Sequence, residues 1–376
     1  MPIQTATRDP WFDNAKMMLV TLVVVGHSWT LLPSSDVGGH LYDFLYAWHV
    51  PAFVFVTGYL SRSFVYSKVR LWQLFRTVVV PYVVFECALA LFRVYVGGED
   101  LQNLFQDPHW PMWYLAAMFF WRLLTPVFKP MWGGLVVAVA VSLVAGMYAG
   151  NTLDMARVLG LLPFFVMGLK ATPERLELLR RTPAQVAAVG VLVGIWVLTT
   201  WTDAWASTEW LYYRSRYDEM GYGDDLHALL TRSLVLAVGT LGAWAFFALV
   251  PRIDGWFARM GSATLVVYLF HGFVVKGAGY AGWSDWATDH VVIAFGVTTT
   301  CAVLLSLLLA WRPVSSRLTH LVDPLGYAER HLHHAVDLTA AKDQVQPDVQ
   351  AEIEAGVDAG LHHQGASEVG EHRVVR

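Results

Sequence analysis

Apolar residues along this chain fall into long runs separated by short polar or Pro/Gly-rich breaks. A helix needs about 20 mostly apolar residues to cross a bilayer core. Such runs lie near 16–33, 41–60, 72–96, 111–128, 131–149, 153–170, 183–201, 226–250, 262–281 and 290–311. They predict an all-α, polytopic membrane protein of about ten transmembrane helices, although 111–149 admits another division. From about residue 328 the pattern changes to "ERHLHHAVDLTAAKDQVQPDVQAEIEAG", with few large apolar residues to the end. The expected organisation is a cytoplasmic N-terminal segment (1–15), a transmembrane domain (16–311) and a disordered cytoplasmic tail (312–376). There is no internal repeat.

Charge gives the orientation. With the N-terminus inside, the inner loops hold Arg62, Lys68, Arg70, Lys129, Lys170, Arg175, Arg180, Arg181, Arg252, Arg259, Arg312 and Arg317. The outer loops hold Arg214 and Arg216. By the positive-inside rule both termini are cytoplasmic and the protein is a multi-pass component of the cell membrane.

Composition agrees: 56% of residues are hydrophobic and 15% charged, outside the range of a soluble domain. A net charge of −4 without a basic stripe gives no reason to expect nucleic acid as a partner. Cys87 and Cys301 lie inside apolar runs, where they are expected to be buried as small hydrophobes, too few and too deep for a disulfide framework or a metal cluster, and no metal is expected. The "HLHH" of the tail reads as a solvated His-rich stretch rather than a metal site. The first apolar run lacks a basic n-region and a cleavage site, so it is read as retained rather than as a signal peptide.

Ionisable groups inside such runs are functional candidates, because a charge at mid-bilayer costs about 2.5–3.5 kcal/mol on insertion scales. At 1.5 Å per residue, His27 in "LVTLVVVGHSWTLLP" lies about 8 Å below the outer end of the first span. On the same scale His49 lies about 12 Å down the second span and His271 about 15 Å down the ninth. Three imidazoles at similar depth suggest a shared polar cavity; for each alone, a neutral ring bonded to a neighbouring helix is the competing reading. Pro51 and Pro81 each open the helical ladder one turn earlier, and Glu86 follows the second of them. Glu86 is a candidate substrate contact, against the alternative of a neutral, packed carboxylic acid.

At the cytoplasmic mouth, Lys16, Arg62 and Arg76 are candidate phosphate ligands, with topogenic charge as the other reading. On the outer side, "TDAWASTEWLYYRSRYDEMGYGDD" and "HWPMWYL", which includes Trp113, mix aromatic faces with acidic acceptors. That mixture suits a polyhydroxylated ligand or an interfacial aromatic belt.

In order, "RDPWFDNAKMMLVTLVVVGH", "WHVPAFVFVTGYLSRS", "LFRTVVVPY", "WPMWYL" and "VYLFHG" resemble the acyltransferase-3 family of integral-membrane acyltransferases, in particular its fucose 4-O-acetylase-like branch. The resemblance covers residues 8 to about 311. It implies transfer of an acyl group, commonly acetyl from acetyl-CoA, to a hydroxyl of a sugar or similar acceptor. Lys16 and His27 match the family's basic-residue-x10-His core, with lysine where relatives usually have arginine. His49 and Pro51 match its His-x-Pro, and Arg76 the basic residue ahead of the third-span proline.

The expectation is therefore an O-acyltransferase. Cytoplasmic cations hold the CoA phosphates, and His27 serves as general base or acyl-accepting nucleophile. His49 orients it, and His271, Trp113 and Glu86 lie towards the acceptor. Neutral imidazole, with an ordinary pKa of about 6.5, can take a proton at cellular pH. The rivals are a transporter using the histidines as a proton relay and an acyltransferase acting on a hydrophobic small molecule or lipid. Oligomeric state is not readable from the sequence.

Overall fold

In a computed structural model that describes residues 9–101, 106–221 and 225–329, every regular element is a helix or helical turn. The helices are α1 (Pro10–Trp29), α2 (Asp36–Tyr46), α3 (His49–Leu60), α4 (Lys68–Leu74), α5 (Val80–Tyr95), α6 (Trp113–Phe128), α7 (Gly134–Tyr148), α8 (Met155–Gly160) and α9 (Leu162–Lys170). There follow α10 (Pro173–Leu178), α11 (Thr182–Thr199), α12 (Thr202–Trp205), α13 (Thr208–Tyr212) and α14 (Asp225–Leu249). The last are α15 (Trp256–Met260), α16 (Thr264–Tyr280), α17 (Trp283–Asp289), α18 (Val291–Ala310) and α19 (Arg312–Val322). A π-helical turn, Phe75–Val79, joins α4 to α5.

Each predicted apolar run coincides with a helix or a broken pair of helices. By length and composition four helices suffice to cross a membrane, or up to six if each of two bent pairs is one span. Proline explains two irregularities. Pro51 cannot donate to the Ala47 carbonyl, and the predicted second span breaks at Ala47–Trp48 into α2 and α3. Pro81 follows the π-turn, where the ladder widens.

The polarity is inside out. Large apolar side chains on α7, α11 and α18, among them Val136, Val186 and Ile293, are exposed. Asp13, Asn14, His27, His49, Glu86, Asp154, Arg232 and His271 are buried. In lipid this is the stable arrangement, since hydrocarbon solvates the apolar face and polar groups must find partners within the protein.

α1 packs against α3, α15, α16 and α18, and its N-terminal motif works piece by piece. Asp9 caps the helix by accepting from the Trp11 N–H at 3.0 Å, with Pro10 in the first turn. Trp11 Nε1 donates to the Phe247 carbonyl at 3.3 Å, and Asn14 Nδ2 to the Pro251 and Ile253 carbonyls at 2.9 and 3.0 Å. The close pair is α3 and α9. A Cβ on Gly58 would stand 2.9 Å from the Phe165 carbonyl carbon and 3.2 Å from the Gly168 Cα, so glycine lets the backbones meet.

Two expectations change. Residues 312–322, assigned to the disordered tail, form α19, which packs on α16 and α18 because Leu318 and Val322 fall on one helical face. Cys87 is half-buried, and Cys301 is exposed on α18 instead of buried. The compact unit ends at Val322. Beyond it, Asp323 accepts from the Gly326 N–H at 2.9 Å at the start of a short helical turn. The "HLHH" stretch and the rest of the tail lie outside the described residues.

Candidate active site

Two of the three histidines expected at membrane depth meet. His27, on α1, places Nδ1 2.8 Å from Nε2 of His271, on α16. His271 Nδ1 in turn lies 2.7 Å from the Tyr268 carbonyl and 3.2 Å from that of Val267. A carbonyl only accepts, so His271 carries its proton on Nδ1; with both rings neutral, its Nε2 is a bare acceptor. His27 must then donate from Nδ1, which leaves the lone pair on His27 Nε2. The hydrogen-bond chain thus fixes the His27 tautomer that a base or nucleophile needs.

A loop ahead of α6 closes over this pair. The Trp110 ring lies 4.3 Å from the His27 ring, centroid to centroid, and 6.3 Å from that of His271. The Tyr268 hydroxyl donates to the Pro111 carbonyl. Glu86, fully buried on α5, accepts at Oε1 from the His109 backbone N–H at 2.9 Å and from His109 Nδ1. Glu86 was expected to touch substrate; its Oε1 is occupied in holding this loop. Its Oε2 has no hydrogen-bond partner among the described residues.

His49 does not hydrogen-bond to either histidine. Its Nδ1 donates to the Leu45 carbonyl at 2.7 Å, satisfying a group freed by the α2–α3 break. Its ring meets the edge of Tyr46, which packs over Gly26, the neighbour of His27. The imidazole that hydrogen-bonds His27 is that of His271, on α16, and not that of His49, on α3. His271 is correspondingly not free to face the acceptor.

Beside the pair stands a cluster that sequence reasoning missed. Arg157, on α8, lies 4.9 Å over the Trp113 ring, donates from Nη1 to Asp154 at 3.2 Å and from Nε to the Tyr212 carbonyl at 3.3 Å. Asp154 and the preceding Leu153 both adopt left-handed backbone, with φ of 51° and 52°. For residues other than glycine this conformation costs about 1–3 kcal/mol each, and such strain gathers at functional sites. The cluster connects to the histidines through rings: Trp113 to Tyr114 at 5.5 Å, Tyr114 to Tyr268 at 5.8 Å and Tyr268 to His271 at 6.0 Å. The one signal available was "LDMAR", an acid–base pair at helical i,i+3 spacing after a polar break.

The other aromatic stretch expected on the outer side is built differently from expectation. Trp210, Tyr213 and Tyr217 are buried around the guanidinium of Arg232, at 5.4, 4.7 and 5.7 Å, and so are not displayed to a ligand. Arg216 pairs with Asp218 and Glu219 within the loop.

Of the three cations expected at the cytoplasmic mouth, Lys16 pairs with Asp13 at 2.8 Å. Arg62 donates to the Tyr59 and Ala171 carbonyls at 3.0 and 2.8 Å and lies over the Tyr59 ring, tying α3 to the end of α9. These bonds use two of its five N–H donors. Arg76 sits half-buried in the π-turn.

A helical bundle with an apolar exterior thus encloses an imidazole held in one tautomer. The sequence profile of the acyltransferase-3 family, described as an acyltransferase domain, matches residues 9–309. The chain belongs to that family and is a membrane acyltransferase. No curated protein and no solved structure matches it.

Proposed function

We propose that the protein moves a short acyl group, acetyl in the first instance, from acyl-CoA to a hydroxyl of a sugar or glycan. This is the activity of the fucose 4-O-acetylase-like branch. The observation that carries the reading is the chain from the Tyr268 carbonyl through His271 to His27, which leaves Nε2 of His27 as the basic atom. That atom takes the proton of the acceptor hydroxyl as its oxygen attacks the thioester carbonyl; the C–S bond breaks and the thiolate recovers the proton. In the alternative order Nε2 itself attacks the thioester carbonyl and the C–S bond breaks to release CoA thiolate; the acceptor hydroxyl then attacks the acyl-imidazolium, the C–N bond breaks and the hydroxyl proton ends on the thiolate. The Trp113 face, with the donors of Arg157 and the acceptors of Asp154 beside it, suits a hydroxylated ring.

In this reading the chain crosses the cell membrane about ten times with both termini cytoplasmic. CoA approaches from the inside, where Lys16 and Arg76 lie, and the acceptor from the outside. The family match favours acyl transfer over a proton-relay transporter. Membranes containing the protein should release free CoA thiol from acetyl-CoA when a glycan acceptor is supplied. His27→Ala should lower that rate by about 10²- to 10⁴-fold while the protein remains inserted. Undiminished turnover in that variant would falsify the role of His27.

A further inference from the structure

Arg122 lies on α6 nine residues beyond Trp113, about 14 Å along the helix axis at 1.5 Å per residue. Its helical face is shared with Leu115 and Thr125, both buried, so it points along the inward side of α6. The guanidinium is half-buried, and among the described residues no group hydrogen-bonds or ion-pairs with it. Lys16 and Arg62, in contrast, are committed to Asp13 and to backbone carbonyls. A guanidinium withdrawn from water without an acceptor is costly, which is the condition an incoming anion relieves.

Its surroundings indicate which anion. The Tyr66 hydroxyl, from the segment between α3 and α4, donates to the Leu123 carbonyl at 2.6 Å and so fixes this level of α6 beside the α3–α4 connection. The π-turn that carries Arg76 packs against α6. In the other direction along α6, Tyr114 leads through Tyr268 to His271 and His27. One end of this path holds the basic nitrogen and the other a cation without a hydrogen-bond acceptor, the order in which a ligand with a thioester at one end and phosphates at the other presents its groups.

We propose that Arg122 binds the phosphate-bearing end of the acyl-CoA donor, with Arg76 on the facing π-turn as its neighbour. The inference rests on the acyl-transfer reading for the donor's identity, and its test is separable from it. Binding of unacylated CoA to the full chain in nanodiscs, made once with zwitterionic and once with anionic lipid, reads the site without turnover. Arg122→Gln should weaken CoA binding by about 10- to 100-fold in both lipids, the range of a charge-assisted hydrogen bond. Arg122→Lys, which keeps the charge, should recover part of it. In turnover, Arg122→Gln should raise KM for acetyl-CoA and leave that for the phosphate-free acetyl-pantetheine unchanged. Unaltered CoA binding in Arg122→Gln, or an equal loss with both donors, overturns the proposal. So does an effect that follows the lipid charge alone, which assigns Arg122 to a headgroup phosphate. If wild-type protein binds CoA through Arg122 but transfers no acyl group, this inference stands and the acyl-transfer reading falls.

Discussion

His271 makes two kinds of hydrogen bond that act together: one to its own helix fixes its tautomer, and one to α1 imposes the complementary tautomer on His27. In the proposed reaction it is a positioning residue, since the basic nitrogen belongs to its neighbour. Removing it leaves His27 free to rotate and to hold its proton on either nitrogen, so kcat in His271→Ala should fall by about 10²-fold or more with KM for acetyl-CoA little changed. Asparagine supplies an acceptor oxygen and should restore part of the rate. Equal changes in kcat and KM across both variants would mean that His271 only packs. The candidacy of all three histidines was legible in the sequence, because imidazoles in apolar runs are conspicuous. Which two would pair was not: His27 and His271 are 244 residues apart, and a displacement of one helical position would turn either ring away.

At the scale of elements, the apolar runs gave the helices but not their breaks. The α2–α3 break was foreseeable from Pro51, whereas the left-handed Leu153 and Asp154 carry no glycine to announce them. Trp210, Tyr213 and Tyr217 were misread for a related reason, since the cation that gathers them, Arg232, comes from α14 and no local pattern connects the two. A further tie joins α5 to α16 at their C-terminal ends. Glu99 accepts from Arg93 Nε at 2.8 Å, from the Tyr280 hydroxyl and from Lys276 at 3.3 Å. Partial burial pushes its carboxyl up, but the hydrogen bonds from Arg93 and Tyr280 and the Lys276 charge outweigh this and hold it at about 2, below the ordinary 4.5. A depressed carboxyl contributes stability that is complete above the unfolded-state value and is lost as pH falls from 4.5 towards 2. The Tm advantage of wild type over Glu99→Gln should therefore shrink between pH 5 and pH 3. A constant difference across that range would show that the tie contributes no charge-dependent stability.

For the whole molecule, the arrangement of polarity carries the functional argument. Apolar surface faces outward while His27, His271, Glu86 and Asp154 are enclosed, so solutes reach these groups only through the protein. Acyl transfer between a donor inside the cell and an acceptor outside requires that Arg122 and the Trp113 cluster open towards opposite sides. The loop charges provide the test, because they assign Arg175 to the inside and Arg216 to the outside. Both side chains are at the surface, so labelling reports the side of the membrane and not access through the fold. In a background with Cys87 and Cys301 replaced by serine, Arg216→Cys should react with a membrane-impermeant maleimide on intact cells, and Arg175→Cys only after permeabilisation. The reverse pattern would place the donor end of α6 outside the cell, where acyl-CoA is absent, and the proposed direction of transfer could not operate.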